Sequence, residues 1–121
     1  FSGAFAVDWW AHIPKSKRVD FLRALHSRLE PGACVILVDQ LPRPDSITGN
    51  YDQEGNHYQI RKLPDGESFQ VIKNFTDEQD YKSMLAPLNC VEIEYREFTE
   101  IRRCMLRYNL PGPGQIQPAG G

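Results

Sequence analysis

The feature that most constrains the fold is an uninterrupted apolar run, CVILVD, at residues 34–39. Its β-branched side chains indicate an interior parallel strand that is covered on both faces. Apolar residues at helical spacing over 19–29 precede it, and Pro31 and Gly32 end that helical pattern. A shorter apolar run, GAFAVD at residues 3–8, comes before the helix. Strand, helix and strand in this order predict a right-handed βαβ unit in a parallel sheet.

The second part of the chain predicts a hairpin, another helix and two more strands. Alternating segments flank the turn PDG at residues 64–66, which indicates a β-hairpin over residues 57–73. Thr76 is the expected N-cap of a helix that ends near residue 85. Further strands are expected over 90–98 and 101–109. The predicted fold class is therefore α/β, with a mixed sheet, an inserted β-hairpin and two helices.

Length and charge limit the kinds of partner. The chain has 121 residues, of which 40% are hydrophobic, and this fits one domain with a modest core. We expect the domain to span residues 1–109 and a flexible tail to span 110–121. A net charge of −2 argues against an electrostatic grip on nucleic acid or on an anionic membrane. No apolar run approaches the roughly 18–20 residues of a membrane span.

The cysteines and histidines point away from a metal. Cys34, Cys90 and Cys104 are far apart and odd in number, whereas metal sites show close pairs and disulfide scaffolds an even count. We interpret them as buried free thiols rather than redox or metal-binding groups, which predicts a cytoplasmic location. The histidines lack the i, i+4 pairing of a helical zinc site, so no metal is expected. His26 and His57 are expected at the surface.

Two acids mark the expected site. In open α/β sheets, ligands bind outside the carboxyl ends of the parallel strands. Asp8 follows the first predicted strand, and Asp39 ends the second. Both acids are therefore expected at one edge of the sheet, either as site residues or as caps of the adjacent loops.

The same stretches carry a family resemblance. AFAVDWWAHIP, followed by a helix ending in LRALHSRLEPGACVILVDQ, resembles the carboxyl-terminal half of a class I S-adenosylmethionine-dependent methyltransferase. In that family the fourth strand ends in an acid, two bulky residues, a variable one and often His. The family's Leu-x-Pro-Gly-Gly turn is matched by LEPGA at residues 29–33. The resemblance covers about residues 1–109 and implies a partial Rossmann-like sheet.

The family's cofactor-binding elements are not found in the sequence. In the family, S-adenosylmethionine is held by a Gly-rich loop after the family's own first strand and by an acid after its second strand. No G-x-G-x-G occurs here, and the GPG at residues 112–114 lies in the expected tail. The resemblance therefore implies the substrate-side half of a small-molecule methyltransferase, inactive alone. The alternatives are a non-enzymatic dimerising or binding module derived from this fold, or a fragment of a longer enzyme.

The resemblance also implies roles for the residues after the first strand. Asp8, Trp9 and Trp10 become candidates for binding S-adenosylmethionine, because aromatic faces attract a sulfonium cation. His12 becomes a candidate general base for a substrate hydroxyl or amine. Packing of one or both tryptophans, and a capping role for the histidine, are the alternatives.

On the substrate side, the candidates are Asp39, Gln40, Tyr58 and Arg61. The hairpin occupies the position at which similar methyltransferases carry an insertion over the substrate. Arg61 would favour a carboxylate or phosphate, and Phe69 and Lys73 are further candidates for substrate choice. The alternative is a solvated ribbon with charged faces.

The first strand is also a candidate interaction site. Residues 3–8 are apolar and lack the Lys or Pro that protects exposed edges. In the family this strand neighbours the half that is not found here. We therefore expect the edge to pair with a second copy of the chain or with a separate chain that carries the cofactor half.

Overall fold

The computed structural model describes residues 1–113, which form a four-stranded mixed sheet, a separate hairpin and two α-helices. The elements are β1 (Gly3–Val7), α1 (Arg18–His26), β2 (Cys34–Gln40), β3 (Tyr58–Lys62), β4 (Ser68–Ile72), α2 (Glu78–Leu85), β5 (Val91–Phe98) and β6 (Arg103–Asn109). Short 3₁₀ turns lie at Trp10–His12, Lys15–Lys17, Pro44–Ser46 and Ala86–Leu88. The predicted mixed sheet, inserted hairpin and two helices are confirmed.

The sheet order is β1-β2-β6-β5. β1 and β2 pair directly in parallel, and α1 connects them along the chain; this is the predicted βαβ unit. β6 pairs antiparallel with both β2 and β5. β2 therefore has β1 on one side and β6 on the other, and β5 joins the sheet through β6. β1 and β5 are therefore the outer strands, as expected for β1.

Only one face of the sheet is fully covered. Val35 and Leu37 of β2 are buried, whereas Ile36 and Val38, which point to the other face, are half-buried. Both helices pack on the first face, where Leu22 of α1 and residues of α2 join the core with Val35 and Leu37. The prediction that β2 is covered on both faces is therefore wrong for the described residues.

The second helix begins one residue later than predicted. Asp77 is its N-cap, and the carboxylate accepts a hydrogen bond from the Asp80 N–H at 2.8 Å. The Thr76 hydroxyl instead accepts hydrogen bonds from the Trp10 indole at 3.2 Å and the Arg18 guanidinium at 2.9 Å. The Thr76 hydroxyl is therefore hydrogen-bonded to buried side chains, and Asp77 caps the helix.

The folded region extends beyond the predicted boundary at residue 109. Leu110 is buried, and its N–H donates to the Ala33 carbonyl at 2.8 Å. The N–H of Gly32 donates to the Pro111 carbonyl at 3.1 Å. The first residues of the predicted tail therefore complete the core, and residues 114–121 lie outside the described residues.

The histidines predicted to be exposed are both packed. His57 is buried, its Nδ1 donates to the Lys73 carbonyl at 2.9 Å, and its Nε2 accepts from the Thr48 N–H at 3.0 Å. His26 is half-buried beside the Tyr108 hydroxyl, 2.6 Å from its Nε2, and burial lowers the pKa of this histidine. Both side chains stabilise the fold, since backbone or core groups use their nitrogens.

The three cysteines are free, and one of them is buried as predicted. Cys104 is buried, while Cys34 and Cys90 are half-buried. Burial raises the pKa of the Cys90 thiol to about 11 and also raises that of Cys104. Both thiols therefore stay protonated and unreactive at neutral pH. Between residues 1 and 113, no helix has the length and hydropathy that crossing a bilayer requires.

Candidate functional site

The chain turns sharply where β1 ends, and this places Asp8 at the edge of the sheet. Asp8 has a left-handed backbone, with φ of 57°, a conformation that Asp adopts more readily than most residues. Its N–H donates to the Val38 carbonyl at 2.8 Å and so extends the pairing with β2. The carboxylate forms an ion pair with Arg103, whose Nε lies 3.3 Å from Oδ1.

Asp39 lies close by, near the end of β2, and is 4% exposed. Its carboxylate accepts hydrogen bonds from the backbone N–H groups of Gln40, at 2.8 Å, and Ala11. Burial raises the pKa of Asp39, and the nearby Asp8 adds to this effect, while the two N–H donors and the ammonium of Lys73 oppose it. The two acids that the sequence placed at one edge therefore do interact.

Lys73 supplies a buried positive charge to the same edge. It follows β4, is 3% exposed, and faces the carboxylates of Asp39 and Asp8. Burial lowers the pKa of Lys73, and the positive charges of Arg61 and Arg103 act in the same direction. We call Asp8, Asp39, Arg61, Lys73 and Arg103 the charged cluster.

Two members of the charged cluster were not recognised at this position from the sequence. Arg103 is paired with Gln40 in the antiparallel register of β2 and β6, so correct strand pairing would have placed it at this edge. Lys73 was a candidate only as a hairpin side chain. Its burial has no local signal, because it follows from the packing of the hairpin base.

The two adjacent tryptophans have different environments. Trp10 is 1% exposed, and its ring lies against the Arg18 guanidinium, 5.4 Å from the ring centroid, and against Tyr81 at 6.1 Å. Because it is almost fully buried, Trp10 is a core residue, which is the packing alternative. Trp9 is 45% exposed and packs edge-on against Phe21 at 4.5 Å, which leaves part of its indole accessible.

His12 is exposed and oriented by a single hydrogen bond. Its Nδ1 lies 2.7 Å from the carbonyl oxygen of Ile72 at the end of β4. Because a carbonyl can only accept, Nδ1 carries a proton, and Nε2 of the neutral ring is left as an acceptor. This arrangement suits a general base.

Two buried asparagines hold the Trp10–His12 turn against the hairpin base. The Asn74 N–H donates to the Ala11 carbonyl at 2.8 Å, and its side-chain amide donates to Asn56 Oδ1 at 3.0 Å. Asn56 Oδ1 also accepts from the Lys15 N–H at 2.8 Å. These residues position the candidate site without lining it, and the sequence carries no signal for them.

The candidate substrate residues fall into two groups. Gln40 and Arg61 line a cavity of about 420 Å³ between the end of β2 and the hairpin. Tyr58 instead donates its hydroxyl to the Asp52 carboxylate at 3.0 Å, which stabilises the loop before β3. Asp39 lies beneath the surface in the charged cluster, and Phe69 is exposed.

A metal centre is not evident in the described part of the chain. Over residues 1–113, the side chains of His, Cys, Asp and Glu form no group of three or more that could hold an ion.

Several solved structures share this fold. DhpI in a complex with SAM and HEP superposes with a TM-score of 0.71 at 23% identity, covering 92% of this chain and 50% of DhpI. The DhpI–SAH complex superposes with a TM-score of 0.67 at 23% identity, covering 93% of this chain and 48% of DhpI. A SAM-dependent methyltransferase from Methanosarcina mazei superposes with a TM-score of 0.65 at 15% identity, covering 93% of this chain and 60% of the methyltransferase. No protein-family model and no curated protein sequence matches the chain.

These similarities extend over nearly the whole chain but only part of each relative. The chain spans about half the length of DhpI. At 15–23% identity, the similarity establishes the fold rather than the activity. The chain therefore has the fold of S-adenosylmethionine-dependent methyltransferases over about half of their length.

Proposed function

We propose that this chain is the substrate-side, carboxyl-terminal half of an S-adenosylmethionine-dependent small-molecule methyltransferase. The observation that supports this most is the meeting of Asp8 and Asp39 at the carboxyl ends of β1 and β2, where the turn that carries His12 is held to Asp39 by the Ala11 N–H. This is the edge at which open α/β sheets bind ligands. The fold shared with SAM-dependent methyltransferases gives that edge a chemical interpretation.

The residues at this edge fit one side of a cofactor site. Trp9 offers an accessible aromatic surface that attracts a cation, and Asp8, whose charge Arg103 balances, offers carboxylate oxygens that can accept hydrogen bonds. Bound S-adenosylmethionine would supply an electrophilic methyl group on a sulfonium. No G-x-G-x-G loop occurs in the sequence, so we propose that another chain segment completes the site and that this chain is inactive alone.

His12 is the proposed general base. Its Nε2 would accept the proton that a substrate hydroxyl or amine gives up as its oxygen or nitrogen bonds to the methyl carbon. The hydrogen bond from Nδ1 to the Ile72 carbonyl holds the ring in the tautomer that this step requires. Proximity and orientation of the acceptor would provide most of the rate enhancement.

Cofactor titration tests this proposal. We expect calorimetry to show no micromolar binding of S-adenosylmethionine or S-adenosylhomocysteine, because only one side of the site is present. We expect NMR titration with S-adenosylhomocysteine to show weak binding, on the order of millimolar, with shifts at Asp8 and Trp9. Asp8→Asn should abolish those shifts, while the exposed Asp20→Asn in α1 serves as the control.

The outcomes separate the proposed functions. An unchanged spectrum at saturating S-adenosylhomocysteine would contradict the methyltransferase proposal and favour the non-enzymatic binding module. Micromolar binding would show that a second copy or a rearranged loop supplies the remaining contacts, and it would contradict the proposed inactivity of the chain alone.

β1 is the proposed surface for association. It is an outer strand whose Phe5 is 69% exposed and whose Val7 is also exposed, and it carries no charged residue. Exposed apolar edges of this kind template pairing with another strand. We propose that β1 pairs with a second copy or with a separate chain that carries the cofactor half. A non-enzymatic dimerising module would use the same edge.

Sedimentation velocity tests self-association. We expect the chain to dimerise at high micromolar concentration and Phe5→Lys to shift the equilibrium towards monomer by at least tenfold, because a lysine protects an edge from pairing. Ile101→Lys is the matched control, since Ile101 is 65% exposed in the turn between β5 and β6. A wild-type chain that stays strictly monomeric would rule out pairing between two copies.

A further inference from the structure

We propose that the cavity between the end of β2 and the hairpin binds an oxyanion, a carboxylate or a phosphate-type group, between Arg43 and Arg61. This inference names the class of substrate for the proposed methyltransferase and to that extent rests on the proposed function. Binding of the anion itself needs no cofactor, so it can be tested separately.

Two different elements bring the arginines into one cavity. Arg43 lies in the loop after β2, and Arg61 lies in β3. Gln59 holds this loop against β3, because its side-chain amide donates to the Ser46 carbonyl at 3.0 Å. Thr48 adds a second attachment, since its hydroxyl donates to the Tyr58 carbonyl at 2.7 Å.

The arginines of the site differ in their partners. Arg103 is neutralised by its ion pair with Asp8. Among residues 1–113, neither Arg43 nor Arg61 forms an ion pair, although Asp45 also lines the cavity. Two guanidinium groups are therefore free to bind a ligand.

The surrounding charges favour an anion further. The guanidinium of Arg61 lies close enough to Lys73 to lower the pKa of its ammonium. Asp39 and Asp8 favour the charged form of Lys73. A negative group bound at Arg61 would relieve the repulsion between Arg61 and Lys73, since no carboxylate among residues 1–113 forms an ion pair with Arg61.

The chemistry of the lining matches a small acid. A guanidinium presents paired N–H donors in a plane, and these fit the oxygens of a carboxylate or a phosphate. Gln40 lines the same cavity and adds an amide side chain next to Asp39. At about 420 Å³, the cavity is within the range of small-molecule sites and accommodates an acid with a short reactive chain.

NMR titration with inorganic phosphate, and separately with acetate, tests the proposal at constant ionic strength. We expect saturable shifts of the Arg43 and Arg61 Nε resonances with at least one of the two anions. Arg61→Met and Arg43→Met should each weaken binding about tenfold. Arg61→Lys should weaken it less, because it keeps the charge but loses the planar fork. Arg28→Met, at an exposed arginine near the end of α1, is the matched control.

The outcomes are distinct. The anion that binds more tightly identifies the oxyanion class. Weak shifts spread over many arginines and unchanged by Arg61→Met would overturn the anion site. Phosphate or acetate binding without any S-adenosylhomocysteine binding would keep the anion site and reject the methyltransferase proposal. Cofactor binding without anion binding would reject the anion site and keep the methyltransferase proposal.

Discussion

Trp10→Ala is expected to lower the free energy of unfolding by about 3–5 kcal/mol. The substitution removes the largest fully buried side chain in the described core. It also removes the indole donor to Thr76 and the ring on which the Arg18 guanidinium lies. Arg18 is itself buried and has an Nε without a hydrogen-bond partner, so losing the ring exposes an already costly charge to a cavity.

Two variants make the Trp10 result specific. Trp9→Ala is the matched control and should cost about 1 kcal/mol, because Trp9 is half-exposed and loses mainly its edge-on contact with Phe21. Trp10→Phe should cost about 1–2 kcal/mol, since a ring remains but the hydrogen bond to Thr76 is lost. Urea unfolding followed by far-UV circular dichroism measures all three. Equal losses for Trp9→Ala and Trp10→Ala would contradict the assignment of Trp10 to the core.

Asp39→Asn is expected to destabilise the fold by about 2 kcal/mol. Asparagine offers one acceptor oxygen where the carboxylate offers two for the Gln40 and Ala11 N–H groups, so the change weakens this pairing and also removes the negative charge beside Lys73. That charge is the strongest of the nearby charges that favour the ammonium of the buried Lys73. Without it, Asp8 is the one carboxylate among residues 1–113 that still favours the buried cation, and Asp8 also forms an ion pair with Arg103.

A double-mutant cycle isolates this electrostatic contribution. Lys73→Met removes the cation and keeps an apolar chain of similar length, so Asp39→Asn should cost less in that background. We expect a coupling energy of about 1 kcal/mol or more, measured by urea unfolding at pH 7. Asp20→Asn, at an exposed acid of α1, should show no coupling to Lys73→Met. Zero coupling for Asp39 would mean that Lys73 is balanced elsewhere.

The elements were predictable where the sequence pattern is strong over a continuous segment. The run at residues 34–39 became β2, and the segments around residues 64–66 became β3 and β4. Each pattern is decided locally, by an apolar or alternating run bounded by turn residues. Local competition caused the error at Thr76, because Asp77 is an equally good cap once the core uses the Thr76 hydroxyl.

The site was predictable only in outline. Strand ends in a parallel pair meet at one edge, so Asp8 and Asp39 could be placed together without a structure. The different burial of Trp9 and Trp10 could not be predicted. Adjacent residues at a 3₁₀ turn point in different directions, and only packing decides which one is buried. Burial of Lys73 and His57 depends likewise on the hairpin base closing over them.

The order of apolar runs, turns and acids was sufficient for the βαβ unit, the hairpin and the edge that carries the candidate site. These features depend on local periodicity and on the geometry of parallel strands. Only the packing of distant segments decided which face of the sheet is covered. The same packing decided which tryptophan is buried and which arginines have no ion pair among the described residues. Burial and ion pairing are properties of contacts between residues far apart in the chain, and no local pattern encodes them.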